Sequence, residues 1–153
     1  MQQSTTPTPS SSLTFTVLGK PAPQGSKRHV GRGVMVESSK RCKPWRQDVR
    51  HTALDLRPSD WYANMDAAIS ISVVFVFARP KNHFRTNGQL KPSAPTYCTA
   101  RIGDVDKLAR SILDSLAGVL FAADEQVINL IAHKRYANDR EQPCAIITVS
   151  AVS

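Results

Sequence analysis

Residues 67–78 (AAISISVVFVFA) form the longest mainly apolar run of the chain and constrain its fold more than any other segment. The run is rich in β-branched residues and too short to span a bilayer, so it predicts a strand rather than a membrane helix. Because almost every position is apolar, we expect a central strand that is covered on both faces.

Two other segments show the 3.6-residue apolar period of amphipathic helices. Residues 44–57 have a proline near the first turn and carry one apolar stripe, which consists of Trp45, Val49, Ala53 and Leu56. The stronger pattern covers residues 105–116, and Gly118 follows it as a stop signal. Further strands are predicted at residues 13–18, 30–38, 127–132 and 145–152.

The chain is expected to be one domain, residues 13–153, behind a flexible polar tail of residues 1–12. Prolines and a glycine predict irregular structure at residues 20–29. The three cysteines are far apart and none belongs to a Cys-x-x-Cys pair, which argues against a disulfide framework or a zinc ribbon. Since no secretory signal is visible either, we expect a soluble, cytoplasmic protein without membrane contact.

Positive charge is concentrated in two stretches of this chain of 153 residues, which has a formal net charge of +8. Residues 20–50 hold nine Lys and Arg against two acids, and residues 79–101 hold five with no acid. Together they predict a phosphate-binding surface, although a solvated basic face is the alternative for either stretch alone.

Residues 79–103 show no clear period, and a loop of this length inside a small domain is usually functional or disordered. The loop mixes five cations with Phe84 and Tyr97, as nucleic-acid-contacting loops do, and Phe84 or Tyr97 is a candidate wedge at a branch point. A floppy excursion with incidental aromatic residues is the alternative. The residues we expect to contact DNA are Lys27, Arg28, Arg46, Arg50, Lys81, Phe84 and Arg85.

Carboxylates are placed where one catalytic site could form. Asp104 and Asp106 open the helix predicted at 105–116, and Asp124 precedes the next strand, so the three can meet at one end of a helix–strand unit. Oxygen ligands select Mg²⁺ or Mn²⁺, which would support phosphodiester hydrolysis. Lys107 or Arg110 could neutralise the charge that develops on phosphorus.

Each of these residues also has a structural interpretation. Asp104 can cap the helix, and Asp106 can stabilise its dipole from the first turn. Asp114 can pair with Arg110 four residues earlier, and Asp124 can be a turn residue. The chain would then be a non-catalytic basic module that binds branched DNA. An RNA-directed nuclease with the same metal chemistry is a third hypothesis.

Residues 103–127 (GDVDKLARSILDSLAGVLFAADEQV) resemble the signature of the RusA-type crossover-junction endodeoxyribonucleases. The signature has two aspartates one residue apart at a helix start, a basic residue and a later aspartate within the helix, and then Asp-x-Gln-Val. The segments GKPAPQGSKRH and HKRYA resemble phage and prophage members of the family, and the resemblance covers residues 15–149.

The resemblance implies an α+β fold, with a small mixed β-sheet and two main helices packed on it, that forms a homodimer. It implies paired nicking of Holliday junctions or other branched DNA with Mg²⁺, or Mn²⁺, and no small-molecule cofactor. It also implies a phage or prophage protein in the cytoplasm of a bacterial host. Asp104, Asp106 and Asp124 match the metal-binding catalytic aspartates, Arg110 occupies the place of a catalytic lysine, and Lys107 stands where the family usually has Asn.

Overall fold

Strands and two long helices make up the fold in the computed structural model, which describes residues 10–25, 27–29, 35–37 and 40–152. The strands are β1 (Ser12–Leu18), β2 (Lys27–His29), β3 (Met35–Glu37), β4 (Ala68–Phe77), β5 (Val127–Tyr136) and β6 (Cys144–Val152). The helices are α1 (Cys42–Leu56) and α2 (Val105–Leu116). The predicted α+β class, with a mixed sheet and two helices, is confirmed.

The main sheet has the strand order β1-β6-β4-β5, and β2 and β3 form a separate hairpin. The β4–β5 pair is parallel, whereas β6 is antiparallel to both of its neighbours. A parallel pair needs a crossover connection, and α2 lies in the connection between β4 and β5. Within the described part of the chain, no helix is both long and apolar enough to cross a membrane.

β4 is an internal strand as predicted, but only one of its faces is covered along its whole length. Ile69, Ile71 and Val73 are buried in the core, whereas Ser72 is exposed and Val74 is half-buried. The prediction of a strand covered on both faces is therefore wrong. Core side chains of α1 and α2 join those of one sheet face, and the alternating serines of β4 point to the other face.

α1 buries most of its predicted stripe. Trp45, Val49 and Ala53 are buried, as expected, but Leu56 is 52% exposed, so that part of the prediction is wrong. The helix ends at Leu56, and the core beyond it is filled by Trp61, which is fully buried. The indole Nε1 of Trp61 donates a hydrogen bond to the carbonyl oxygen of Leu120 at 2.9 Å.

Two of the predictions for the strand regions are wrong by more than one residue. β5 extends to Tyr136 rather than residue 132, because its last residues continue to pair with β4. β2 lies within residues 20–29, which were predicted to be irregular; the strand begins only after the prolines and the glycine of that segment. β3 falls inside the strand predicted at 30–38, and residues 30–34 and 38 lie outside the described residues.

Residues 10–12, at the end of the predicted tail, contact the folded domain. The Ser10 backbone N–H donates a hydrogen bond to Asp60 Oδ2 at 2.9 Å, and the Asn64 side-chain amide donates to the Ser10 carbonyl oxygen at 2.6 Å. Ser12 already belongs to β1. Residues 1–9 lie outside the described residues.

The turn between β5 and β6 is held by an ion pair with a predictable pH dependence. Arg135 donates two hydrogen bonds to the Glu141 carboxylate, at 2.5 and 2.9 Å, and the Asn138 N–H donates a third at 2.9 Å. The bond from Arg135 holds the pKa of Glu141 below its ordinary value of 4.5, against an opposing effect of burial. A carboxyl whose pKa is lowered by folding stabilises the fold above the unfolded-state pKa, and this contribution is lost as pH falls through the folded-state pKa.

We therefore expect Glu141→Gln to lower the free energy of unfolding by about 1–2 kcal/mol at pH 7. The deficit should shrink at pH 3, which lies below the ordinary pKa of 4.5, because Glu141 of the unfolded chain is protonated there and the ion pair stabilises the fold less. Urea unfolding at both pH values measures it, with Asp139→Asn in the same turn as the control. A deficit of equal size at both pH values would contradict the assigned ion pair.

Candidate functional site

The first turn of α2 presents two carboxylates. Asp104 occupies the N-cap position, with φ −71° and ψ 141°, but its side chain makes no capping hydrogen bond. Asp106 lies in the first turn and is exposed. Asp104 therefore occupies the N-cap position, as the helix-cap interpretation predicts, but its side chain does not cap the helix. Its carboxylate is available for another partner.

Gly103 allows the chain to enter α2 in this way. Its φ of +132° is a conformation that residues with a side chain rarely adopt, and a Cβ here would lie 3.2 Å from both Leu108 Cδ2 and Pro23 Cγ. The Gly103 carbonyl oxygen also accepts a hydrogen bond from Lys134 Nζ at 2.8 Å. Lys134 lies inside β5, so this bond ties the strand to the start of α2.

The segment preceding β2 packs on the same turn. The Gln24 backbone N–H donates a hydrogen bond to the Lys107 carbonyl oxygen at 3.0 Å, while the side-chain Oε1 of Gln24 is buried without a hydrogen-bond partner. The first basic stretch, in which Lys27 and Arg28 lie on β2, therefore continues from residues that touch the carboxylate-bearing helix.

The third aspartate is linked to α2 through Arg110. Asp124 opens the 3-10 turn Asp124–Gln126 directly before β5, and its Oδ2 accepts a hydrogen bond from Arg110 Nη2 at 2.7 Å. Arg110 Nε lies 3.5 Å from Asp114 Oδ1, which confirms the predicted i,i+4 pair, and Arg46 Nη1 lies 3.7 Å from Asp114 Oδ2. Cations and carboxylates therefore alternate from α1 across α2 to Asp124.

Gln126 fixes the turn that carries Asp124, a role that sequence reasoning missed. Its Oε1 accepts hydrogen bonds from the N–H groups of Ala122 and Ala123, at 2.8 and 2.7 Å. Its Nε2 donates to the carbonyl oxygens of Met65 and Ala67, at 2.6 and 2.9 Å. The one sequence signal for this role was the place of Gln126 in the Asp-x-Gln-Val motif. Its hydrogen-bond acceptors at Met65 and Ala67 are about 60 residues away in sequence, so no local pattern relates them to Gln126.

The three aspartates fit a hard divalent cation by ligand type. The Oδ1 of Asp124 is buried without a hydrogen-bond partner, which is costly for a carboxylate unless a cation approaches it. Oxygen donors of this kind are the ligands that Mg²⁺ and Mn²⁺ prefer. Across the described ranges, however, no three Asp, Glu, His or Cys side chains are grouped so that they could hold a metal ion. Binding one ion by all three aspartates requires their side chains to converge on it.

The residues expected to contact DNA lie on several elements. Arg46 and Arg50 lie on α1; Arg46 is near Asp114, and Arg50 Nη1 donates to the Ala117 carbonyl oxygen at 3.1 Å, at the end of α2. Lys81 belongs to the short 3-10 turn Lys81–His83, and Arg85 is exposed beyond it. DNA contact by these residues stays a prediction. The hydrogen bond of Arg50 to Ala117 also gives Arg50 a structural role, because it links α1 to the end of α2.

The loop of residues 79–103 is anchored rather than a loose excursion. Arg79 donates hydrogen bonds to the carbonyl oxygens of Ala137 and Pro95, at 2.8 and 2.7 Å, and its guanidinium lies 5.4 Å from the ring centre of Tyr136. The ring centres of His83 and Tyr136 lie 4.8 Å apart in an edge-on arrangement. Burial raises the pKa of the Tyr136 hydroxyl. Phe84, 38% exposed, forms a β-bridge with Leu90, so the loop carries a small hairpin.

Comparison with known proteins identifies the family of the chain. Residues 19–149 match the family model described as Endodeoxyribonuclease RusA. A search of the curated proteins found no match. The family match covers most of the chain and contains both helices and every residue that we predict for the site. The chain therefore belongs to the RusA family of endodeoxyribonucleases.

Proposed function

We propose that the protein is a Mg²⁺-dependent, structure-selective endonuclease that cuts four-way junctions or other branched DNA by paired nicks. The observation that carries this proposal is Asp124, whose Oδ2 binds Arg110 while its Oδ1 is buried without a partner, close to the helix that begins with Asp104 and Asp106. Membership in a family that acts on branched DNA junctions supports the substrate class.

In this proposal Asp104, Asp106 and Asp124 hold the cation. When bound, the ion supplies a water of lowered pKa and polarises the scissile phosphate. Arg110, held between Asp114 and Asp124, then stabilises negative charge that develops on phosphorus. Because a guanidinium is a fixed cation, Arg110 acts through its charge and not as a general acid.

The basic surface explains how such an enzyme would hold its substrate. Fourteen Lys and Arg lie in residues 20–50 and 79–101, and contacts of these cations with phosphate release counterions, so binding should weaken steeply with salt. Phe84 is exposed on the anchored loop and can insert at the branch point. Two copies related by a two-fold axis would present two equivalent sites to a two-fold junction, as paired nicking requires.

The decisive test compares a labelled synthetic four-way junction with a linear duplex of the same sequence, each incubated with Mg²⁺ or with EDTA. We expect paired nicks in the junction alone, lost in EDTA and restored by added Mg²⁺ or Mn²⁺. Tight junction binding without metal-dependent cutting would instead favour the non-catalytic module. An RNA junction, included as a further substrate, should remain uncut.

A further inference from the structure

A cavity of about 440 Å³ lies at the end of the parallel β4–β5 pair. Its lining includes residues directly after the two strands and residues of the small hairpin in the loop, namely Ala78, Arg79, Ala137, Phe84 and Leu90. The volume falls in the range of ligand-binding pockets, about 300–1,000 Å³. The three aspartates of the candidate metal site do not line this cavity, so the two sites are separate.

The walls of the cavity are held in place by charged side chains. The Arg79 guanidinium donates to the carbonyl oxygens of Ala137 and Pro95, and Arg135 binds Glu141 in the turn between β5 and β6. Arg79 and Glu141 are thus engaged within the fold. The cavity is therefore formed before any ligand binds, as small-molecule sites usually are.

The side chains that line the cavity suit a flat ring with a polar edge. Phe84, 38% exposed, presents an aromatic ring, and Leu90, 45% exposed, presents aliphatic surface. The side-chain amides of Gln89 and Asn138 also belong to the lining, and an amide can both donate and accept hydrogen bonds. A nucleobase combines a face that stacks on an aromatic side chain with an edge that is read by hydrogen bonds.

The balance of charge in the lining favours a nucleobase over a free anion. Arg79 and Arg140 line the cavity together with Asp139 and Glu141, so the formal charges cancel. A free phosphate would need an excess of cations around it. An uncharged ring needs none.

Arg140 has an unusual backbone conformation beside the cavity. Its φ of +62° lies in the left-handed region, which glycine and asparagine adopt most readily, within the turn that the Glu141 N–H closes on the Asn138 carbonyl oxygen at 3.1 Å. Among the described residues, none forms a hydrogen bond or an ion pair with its guanidinium. Backbone strain of this kind is concentrated at functional sites, and an exposed guanidinium here can bind the phosphate next to a base in the cavity.

The cavity and the first turn of α2 lie at the same end of the sheet. The loop of residues 79–103 passes the cavity near its start and enters α2 at Gly103, whose carbonyl oxygen accepts a hydrogen bond from Lys134 near the end of β5. DNA that reaches the carboxylates at the start of α2 therefore lies at the end of the sheet that carries the cavity.

We propose that the cavity binds one unpaired nucleobase of branched DNA, stacked on Phe84, while Arg140 binds an adjacent phosphate. Phe84 is then a platform for a base that has left the double helix, and not a wedge alone. This proposal deepens the proposed function and rests on it only for DNA as the substrate.

The contribution of one unpaired base to affinity tests the cavity. One duplex carries a single unpaired thymidine and a second carries an abasic nucleotide at the same position, so the two differ only in the base. By fluorescence anisotropy in EDTA, which prevents metal-dependent cutting, we expect the wild type to bind the thymidine duplex about 10-fold more tightly. Equal affinity for the two duplexes would overturn the proposal.

Two substitutions of Phe84 separate stacking from insertion as a wedge. A wedge requires only apolar bulk, whereas stacking requires an aromatic ring. We expect Phe84→Leu to bind the two duplexes equally and Phe84→Tyr to keep the preference. Tyr62→Ala, at a 79% exposed position outside the lining, is the matched control and should keep it too. A preference that survives in Phe84→Leu would overturn the stacking on Phe84.

Arg140→Asn tests the phosphate contact. The variant should bind both duplexes more weakly by the same factor, and the slope of log affinity against log salt should fall by about one. Because asparagine adopts the left-handed conformation readily, Arg140→Asn should unfold at the same temperature as the wild type. An unchanged salt slope would overturn the role of Arg140.

Photo-cross-linking and junction cutting together separate this proposal from the proposed function. A 5-iodouracil at the unpaired position should cross-link under near-ultraviolet light to the peptide that contains Phe84, which mass spectrometry identifies. If the wild type cuts junctions but shows neither the base preference nor this cross-link, the cavity is wrong and the function stands. If it shows both and cuts no junction, the cavity stands and the nuclease function is wrong.

Discussion

Asp106→Asn is expected to lower the rate of junction cutting by about 100-fold or more while leaving junction binding intact. The exposed Asp106 carboxylate lies in the first turn of α2 and would be one ligand of the cation, and an amide of the same shape is a much weaker ligand. The basic stretches that hold phosphate are unchanged, and one negative charge is removed from the site. Binding should therefore be equal or slightly tighter, which gel-shift titration at fixed salt measures.

The matched control is Asp55→Asn, which removes the same charge from an exposed position on α1. This variant should cut normally. The two should also differ in a readout other than activity: Mg²⁺ should raise the melting temperature of the wild type and of Asp55→Asn, but have little effect on Asp106→Asn. If Asp106 served only the helix dipole, its loss would cost under about 1 kcal/mol of stability and the variant would cut like the wild type.

Gln126→Glu should lower the free energy of unfolding by about 2–4 kcal/mol at pH 7 and reduce cutting as well. The substitution keeps the shape of the side chain but turns an oxygen toward the carbonyl oxygens of Met65 and Ala67, where Gln126 now donates two hydrogen bonds. Since the same side chain holds the N–H groups of Ala122 and Ala123, the turn that carries Asp124 loses its attachment to the chain before β4.

Protonation of the new carboxyl would restore one donor, so the destabilisation should diminish as pH falls and be smallest below the ordinary glutamate pKa of 4.5. Gln142→Glu introduces the same change at an exposed position and should alter stability by less than about 0.5 kcal/mol. A Gln126→Glu deficit that does not respond to pH would mean that the four hydrogen bonds do not determine the effect. Urea unfolding between pH 4 and 7 measures the difference.

The fold was largely predictable where the apolar pattern of one segment determines a helix or a strand. α2 has the bounds that its apolar period predicts, and β4 is internal to the sheet as its apolar run predicts. The uncovered face of β4 was not predictable in the same way, because an apolar run does not specify how many layers pack on a sheet. Leu56 lies on the apolar stripe of α1 but is exposed, because Trp61 fills the core beyond the end of the helix. The apolar period of a helix does not predict which residue fills the core after the helix ends.

The positions of the candidate carboxylates on their elements were predictable, but their contacts were not. Asp104 and Asp106 at a helix start are visible in the sequence, and so is an aspartate before the next strand. The bond from Arg110 to Asp124 and the bond from Lys134 to Gly103 depend on how α2 lies against β5. Each of these two hydrogen bonds joins residues that no local sequence pattern relates. They are therefore visible only in the structure of the connection from β4 through α2 to β5.

The position of β6 has a consequence for the order of folding during synthesis. β6 follows every other strand in the chain, yet it lies between β1 and β4, with partners along both of its edges. A growing chain that has already exposed Asp104, Asp106 and Asp124 still lacks the strand that joins β1 to the rest of the sheet. Pairings this distant in sequence form late and slowly, so the sheet that supports α2 and β5 would be complete only after β6 has left the ribosome. Translation itself would then delay completion of the fold until the whole sheet can close.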